Sequence, residues 1–126
     1  MGLNISGFTL YAGDDFDVIR TVTGVPVGTA MVKAWLTIKR DPVETDPGLL
    51  QKVVSTTPVL NVGQITNDGG SGGVGSLIFG LTKNDTLTLG PGIFYYDIQV
   101  LTGTGKIYTY EWGQIALKQR VTAALS

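Results

Sequence analysis

The chain has 126 residues, nine Lys and Arg against ten Asp and Glu for a net charge of −1, and neither Cys nor His. That length holds one ordinary core, and the balanced, dispersed charge leaves no nucleic-acid footprint. The missing residue types exclude a disulfide framework, thiolate chemistry and histidine-based acid–base or metal chemistry.

Residues 1–6 lack a basic region followed by an apolar run, so they read as a short N-terminal arm and not as a secretory signal. Gly2 with Ser6 matches a myristoylation pattern only loosely. No segment reaches the ~18–20 apolar residues of a membrane helix, so no membrane partner is expected. Phe8 to Tyr11 is a short alternating run closed by Ala12-Gly13-Asp14-Asp15, and Phe16 to Val22 alternates again. Both read as strands. After a Gly/Pro loop over 23–29, Val32, Ala34, Leu36 and Ile38 alternate with Lys33, Trp35, Thr37 and Lys39. This predicts a third strand with one apolar face and with Trp35 on the other.

The stretch Asp41 to Gly48 holds two prolines and four acids or threonines, which predicts a projecting surface loop. Weaker strand signals cover 49–56 and 59–65. The Gly/Ser run 67–73 predicts a mobile loop. Gly75 to Leu81 then reads as a strand with Leu77, Phe79 and Leu81 inward. Thr82 followed three residues later by Asp85 predicts one capped helical turn. The strongest signal is a hairpin over 90–117. Its first arm sets Phe94, Tyr96, Ile98 and Val100 on one face against Tyr95, Asp97, Gln99 and Leu101 on the other. No segment keeps a 3.6-residue period for long. The fold class expected is therefore all-β: a single immunoglobulin-like antiparallel sandwich of about seven to nine strands over residues 7–118, with a tail at 119–126.

Three chemical readings compete with plain architecture. Asp14, Asp15 and Asp17 share a turn, and with Asp68 and Asp85 they could offer calcium a set of hard oxygens. Their spacing fits no EF-hand loop, and the reading adopted is a turn whose Asp side chains cap backbone amides. Asp97 and Glu111 fall on paired strands, the arrangement two-carboxylate glycoside chemistry needs, but both are expected on an exposed sheet face. The glycines at 69–73 lack the Lys-Ser/Thr and βαβ setting of a phosphate loop. No catalytic residue, cofactor or metal is expected. Aromatic residues are more informative: Tyr95, Tyr108, Tyr110 and Trp112 crowd one end of the hairpin, and Trp35 opposes the apolar face of its strand. Tyr95 and Trp112 are out of phase with their aromatic neighbours. These five are the partner-contact candidates, because aromatic clusters on a sheet serve docking or sugar stacking.

Taken in order, Tyr11-Ala12-Gly13-Asp14-Asp15-Phe16-Asp17, Ala34 to Lys39, Gly75 to Thr86, and Gly92-Ile93-Phe94-Tyr95-Tyr96-Asp97-Ile98-Gln99-Val100 followed by Gly103 to Thr109 carry a resemblance over residues 7 to 118. The chain resembles the small immunoglobulin-like domain of tailed-bacteriophage virion proteins, the kind at the N-terminus of upper baseplate proteins. The resemblance implies a non-enzymatic module that docks on a symmetrical assembly. Its implied partners are other virion proteins of the baseplate, tail or major capsid, together with symmetric copies of itself. No nucleic-acid partner is implied, and the implied location is the virion, assembled in the host cytoplasm. In those proteins a linker and a receptor-binding or adaptor region follow, whereas this chain stops at Ser126, so the expectation is a free-standing tail or baseplate component or a capsid decoration protein. Exposed sheet edges, the 41–48 loop and the terminal segments are its expected contacts. The rival expectation is a carbohydrate-binding module for a host surface glycan, stacking sugars on Trp35, Tyr108, Tyr110 or Trp112.

Overall fold

The computed structural model describes residues 3–70 and 72–119. Its elements are β1 (Asn4–Tyr11), β2 (Phe16–Thr23), β3 (Met31–Lys39), β4 (Leu50–Val54), β5 (Gly63–Asn67), β6 (Val74–Leu81), α1 (Lys83–Leu89), β7 (Gly92–Thr102) and β8 (Ile107–Lys118). They build two sheets, ordered β1-β8-β7-β3-β4 and β2-β6-β5. With β2-β6-β5 standing as strands B-E-D and β8-β7-β3-β4 as G-F-C-C′, this is an immunoglobulin-like sandwich. The all-β expectation holds.

Local chemistry explains most elements. In β6 the inward set Leu77, Phe79 and Leu81 is fully buried, and in β7 the inward set Phe94, Tyr96, Ile98 and Val100 is buried as its alternation requires. These two strands face each other across the core. Helix α1 starts on a capping box: the Asp85 N–H donates to Thr82 Oγ1 at 3.2 Å and the Thr82 N–H donates to Asp85 Oδ2 at 2.8 Å. Burial alone would push the Asp85 carboxyl up, but the Thr82 N–H and the Lys52 ammonium, 2.9 Å away, hold it below its ordinary value. The acidic turn does what capping predicts, for Asp15 Oδ1 accepts from the Lys83 N–H at 2.7 Å. The 67–73 segment is tied to the neighbouring loop by backbone bonds, Met31 N–H to Asp68 O at 2.9 Å and Val25 N–H to Gly73 O at 3.0 Å.

Three departures from strict alternation matter more. First, β1 begins at Asn4, inside the expected arm, and pairs parallel with β8 from Asn4↔Glu111 to Tyr11↔Lys118. The expected domain boundary at residue 7 therefore falls within a strand, and the sandwich is antiparallel in every pairing but this one. Second, the β3–β7 register shifts between Met31 and Lys33, so Met31 is buried and Val32, expected inward, is exposed. Third, the β7–β8 register shifts between Ile98 and Gln99. Gln99 pairs Thr109 but Ile98 pairs Glu111, so Tyr110 is the extra residue of a bulge. The tail expected at 119–126 lies outside the described residues except for Gln119.

Candidate functional site

The third shift rearranges the chemistry of the hairpin. Without a bulge, the pairing that joins Gln99 to Thr109 would continue to join Asp97 to Glu111. With it, Asp97 faces Trp112 and Glu111 turns to the inner side. Glu111 is 3% exposed, which corrects the expectation that it sits on an open face. Its carboxylate is fully engaged: Arg20 Nε donates at 2.7 Å to Oε1, Arg20 Nη2 donates at 3.0 Å to Oε2, and the Tyr96 hydroxyl also donates to Oε2. Arg20 in turn lies over the Phe8 ring at 5.8 Å, and Phe8 stacks on Phe16 at 5.6 Å and meets Tyr96 edge-on at 5.0 Å. This group ties β1, β2, β7 and β8 together. Asp97 and Glu111 lie on opposite faces of one sheet and cannot flank a common bond.

The outer face of the five-stranded sheet gathers a different set. Cross-strand register places Gln51, Thr37, Asp97, Trp112 and Ile5 in one row. The adjacent rows are Val53-Trp35-Gln99-Thr109 on one side and Lys39-Tyr95-Gln114-Gly7 on the other. Trp112 is 43% exposed, Ile93 54% and Ile5 72%. Large apolar side chains grouped like this on one face are unusual on a monomer's surface. Within the face a basin of about 240 Å³ is lined by Thr37, Asp97, Trp112, Tyr95, Lys39 and Pro42, among others. The Pro42 edge comes from the projecting 41–48 loop, as expected for a segment that cannot continue a ladder.

Asp97 is half-buried in this basin, and burial pushes its carboxyl up from the ordinary value, with Lys39 opposing and Asp46 adding to the rise. Lys39 Nζ is spent on Asp46 Oδ1 at 2.9 Å. Thr37 Oγ1 accepts from Gln51 Nε2 at 3.0 Å.

Of the five aromatic candidates, the structure brings Trp35, Tyr95 and Trp112 onto this outer face. Trp35 is half-buried, with the Lys33 ammonium 5.9 Å from its ring. Tyr110 is not on it: it is 6% exposed, and its hydroxyl donates to the Thr21 carbonyl at 2.6 Å across the two sheets. Tyr108 pairs with the inward Val100 and is half-buried at the same end. The bulge separates the two groups, since phase before Tyr110 points inward and phase at Trp112 points outward. Residues that sequence reasoning left out of the surface are Ile5, which fell in the expected arm, and Ile93, Thr37 and Lys39. Ile5 and Ile93 were legible only through the β1–β8–β7 pairing. Among the described residues no group of three or more Asp or Glu could hold a metal ion, and no helix is long and apolar enough to cross a membrane.

No family model and no curated protein matches the chain. Among solved structures it is similar to a family 123 glycoside hydrolase from Clostridium perfringens, described for its hydrolysis of glycolipid glycans, with a TM-score of 0.50 and 12% identity. The match covers 96% of this chain and 24% of that one, so the chain spans about a quarter of the hydrolase's length. At that identity the likeness concerns the fold alone.

Proposed function

We propose that the protein is a non-enzymatic structural module of a bacteriophage virion, docking through the outer face of its five-stranded sheet on a symmetrical assembly of tail, baseplate or capsid. The observation that carries this is the face itself: Trp112, Ile5 and Ile93 stand exposed beside Tyr95 on a rigid sheet. Exposed aromatic side chains, Trp and Tyr above all, are enriched in interface cores and hot spots, and neighbouring apolar side chains add buried area. The class of assembly comes from the sequence resemblance. The chemistry of the acids fits the same reading, because Glu111 is consumed by Arg20 and Tyr96 on the inner side of the sheet and is not available to act with Asp97. Immunogold labelling of particles with antibody to this chain tests it: gold on the head or on the tail is expected, and particles bare of label would overturn it.

A second reading is a carbohydrate-binding module, favoured by one feature, the Trp112 and Tyr95 rings beside the Asp97 carboxylate. Rings stack on sugar faces while a carboxylate accepts from hydroxyls. Titration calorimetry against a saccharide panel separates the two readings, since a structural module gives no heat of binding.

A further inference from the structure

The basin around Asp97 has a chemistry that the docking face as a whole does not. Its lining brings the half-buried acid Asp97 together with two aromatic residues, Trp112 and Tyr95. Two carboxylates, Asp97 and Asp46, act there against one ammonium, Lys39, and that ammonium is bonded to Asp46. The basin is therefore one negative charge in excess, and Asp97 receives no hydrogen bond from the described residues. A carboxylate removed from water without a partner costs free energy, whereas one paired with a desolvated cation regains it. Aromatic walls add to the same preference, because the negative face of a π system attracts cations, most of all beside Trp.

We infer that this basin is a receptor for a basic side chain, an arginine or lysine presented by the docking partner, with Asp97 as its counter-ion and Trp112 and Tyr95 as its walls. The volume of about 240 Å³ suits the end of one side chain rather than an extended oligosaccharide. A planar guanidinium fits best: it can donate two bonds to Asp97 while its face lies on an aromatic ring, where a neutral sugar leaves the excess charge unanswered. The inference rests on the docking reading for the source of the side chain, but the basin's preference for a cation can be measured without any partner.

The first experiment is an NMR titration of the isolated protein, reading the Trp112 indole N–H and the Asp97 amide. The probes are N-acetylarginine methylamide, its uncharged citrulline counterpart, and N-acetylglucosamine. Saturable shifts with the arginine probe are expected, with a dissociation constant on the order of 1–10 mM for one charge-assisted, cation–π contact. The citrulline probe should be at least about tenfold weaker. Asp97→Asn, which keeps the shape of the side chain, should abolish the difference between them. Lys39→Met, which removes the competing ammonium, should tighten the arginine probe. Equal shifts from arginine and citrulline, an unchanged response in Asp97→Asn, or saturation by the sugar alone would overturn the inference. Failure here with particles still labelled would leave docking standing and remove only the basic side chain; unlabelled particles with a saturable arginine response would do the reverse.

Discussion

Asp97 sits in an environment unfavourable to its own charge. Its carboxyl is pushed up by burial, so the folded state prefers the protonated form more than the unfolded chain does. The stabilisation from that preference is present below the ordinary carboxylate range and is lost as pH rises through the folded value. At neutral pH the ionised group is then a cost. Asp97→Asn is expected to raise the melting temperature at pH 7, with the gain shrinking as pH falls through the folded value and gone below about 4. Tyr95, Lys39 and Asp46 are the other titratable groups around it, and only the two charged ones act on it. Tyr96 is pushed in the same direction, at the alkaline end of the pH range. Burial first, and then the bond it donates to Glu111, push its hydroxyl up to about 12. In an unfolded chain that group titrates near pH ~10. Its stabilisation is complete below that value and is lost as pH climbs toward about 12. A urea series across this window should show the midpoint falling, and Tyr96→Phe should remove that part of the fall.

At the scale of elements, Gly113 decides whether β1 can join the sheet. A Cβ there would stand 1.7 Å from the Ser6 carbonyl oxygen and 3.2 Å from the Tyr96 ring. Only a residue without a side chain lets β1 approach β8 while Tyr96 fills the space beneath. Gly113→Ala is expected to cost about 3 kcal/mol or more in denaturant unfolding, beyond the usual overpacking penalty, because the whole strand must shift. Such contacts explain what the sequence made legible. Strands β6 and β7 could be read from their side chains because each buries one face against the core without interruption. Strand β1 could not be read back to Asn4, because its first residues are held by backbone pairing and carry no inward apolar pattern. Alternation failed at Val32 and at Glu111 for one reason: a bulge adds a residue to one strand and reverses phase beyond it, and no residue type marks the spot. The α1 cap was legible because its two hydrogen bonds depend on residue types at fixed spacing.

For the whole molecule, two sheets of unequal size divide the labour. The three-stranded sheet and α1 complete the core, and the five-stranded sheet presents an outer face of mixed polarity on which Trp112, Ile5 and Ile93 stand exposed. Trp112 belongs to that face and not to the core, so Trp112→Ala should leave monomer stability within about 0.5–1 kcal/mol of the parent. On the docking reading proposed above, binding to the partner assembly should weaken by about 2 kcal/mol, roughly 30-fold, in a sedimentation or particle-binding assay. Loss of folding would return Trp112 to the core and contradict its exposure. The candidate surface was half legible: Trp35, Tyr95 and Trp112 were visible as aromatics out of phase. Tyr110 was misplaced by the bulge, and the carboxylate at the centre of the site was visible only as half of a pair with Glu111 that the fold takes apart.

The parallel pairing of β1 with β8 has a mechanical consequence. Residues 4 and 118 lie at opposite ends of one strand pair, joined by a continuous register from Asn4↔Glu111 to Tyr11↔Lys118. Tension applied between them pulls the two strands along their length, so the ladder is loaded in shear and its bonds share the force. An antiparallel hairpin pulled from its open ends would instead unzip one bond at a time. In a single-molecule pulling experiment, tension between these two ends should give one abrupt high-force rupture, and Gly113→Ala, which disrupts the pair, should lower it sharply.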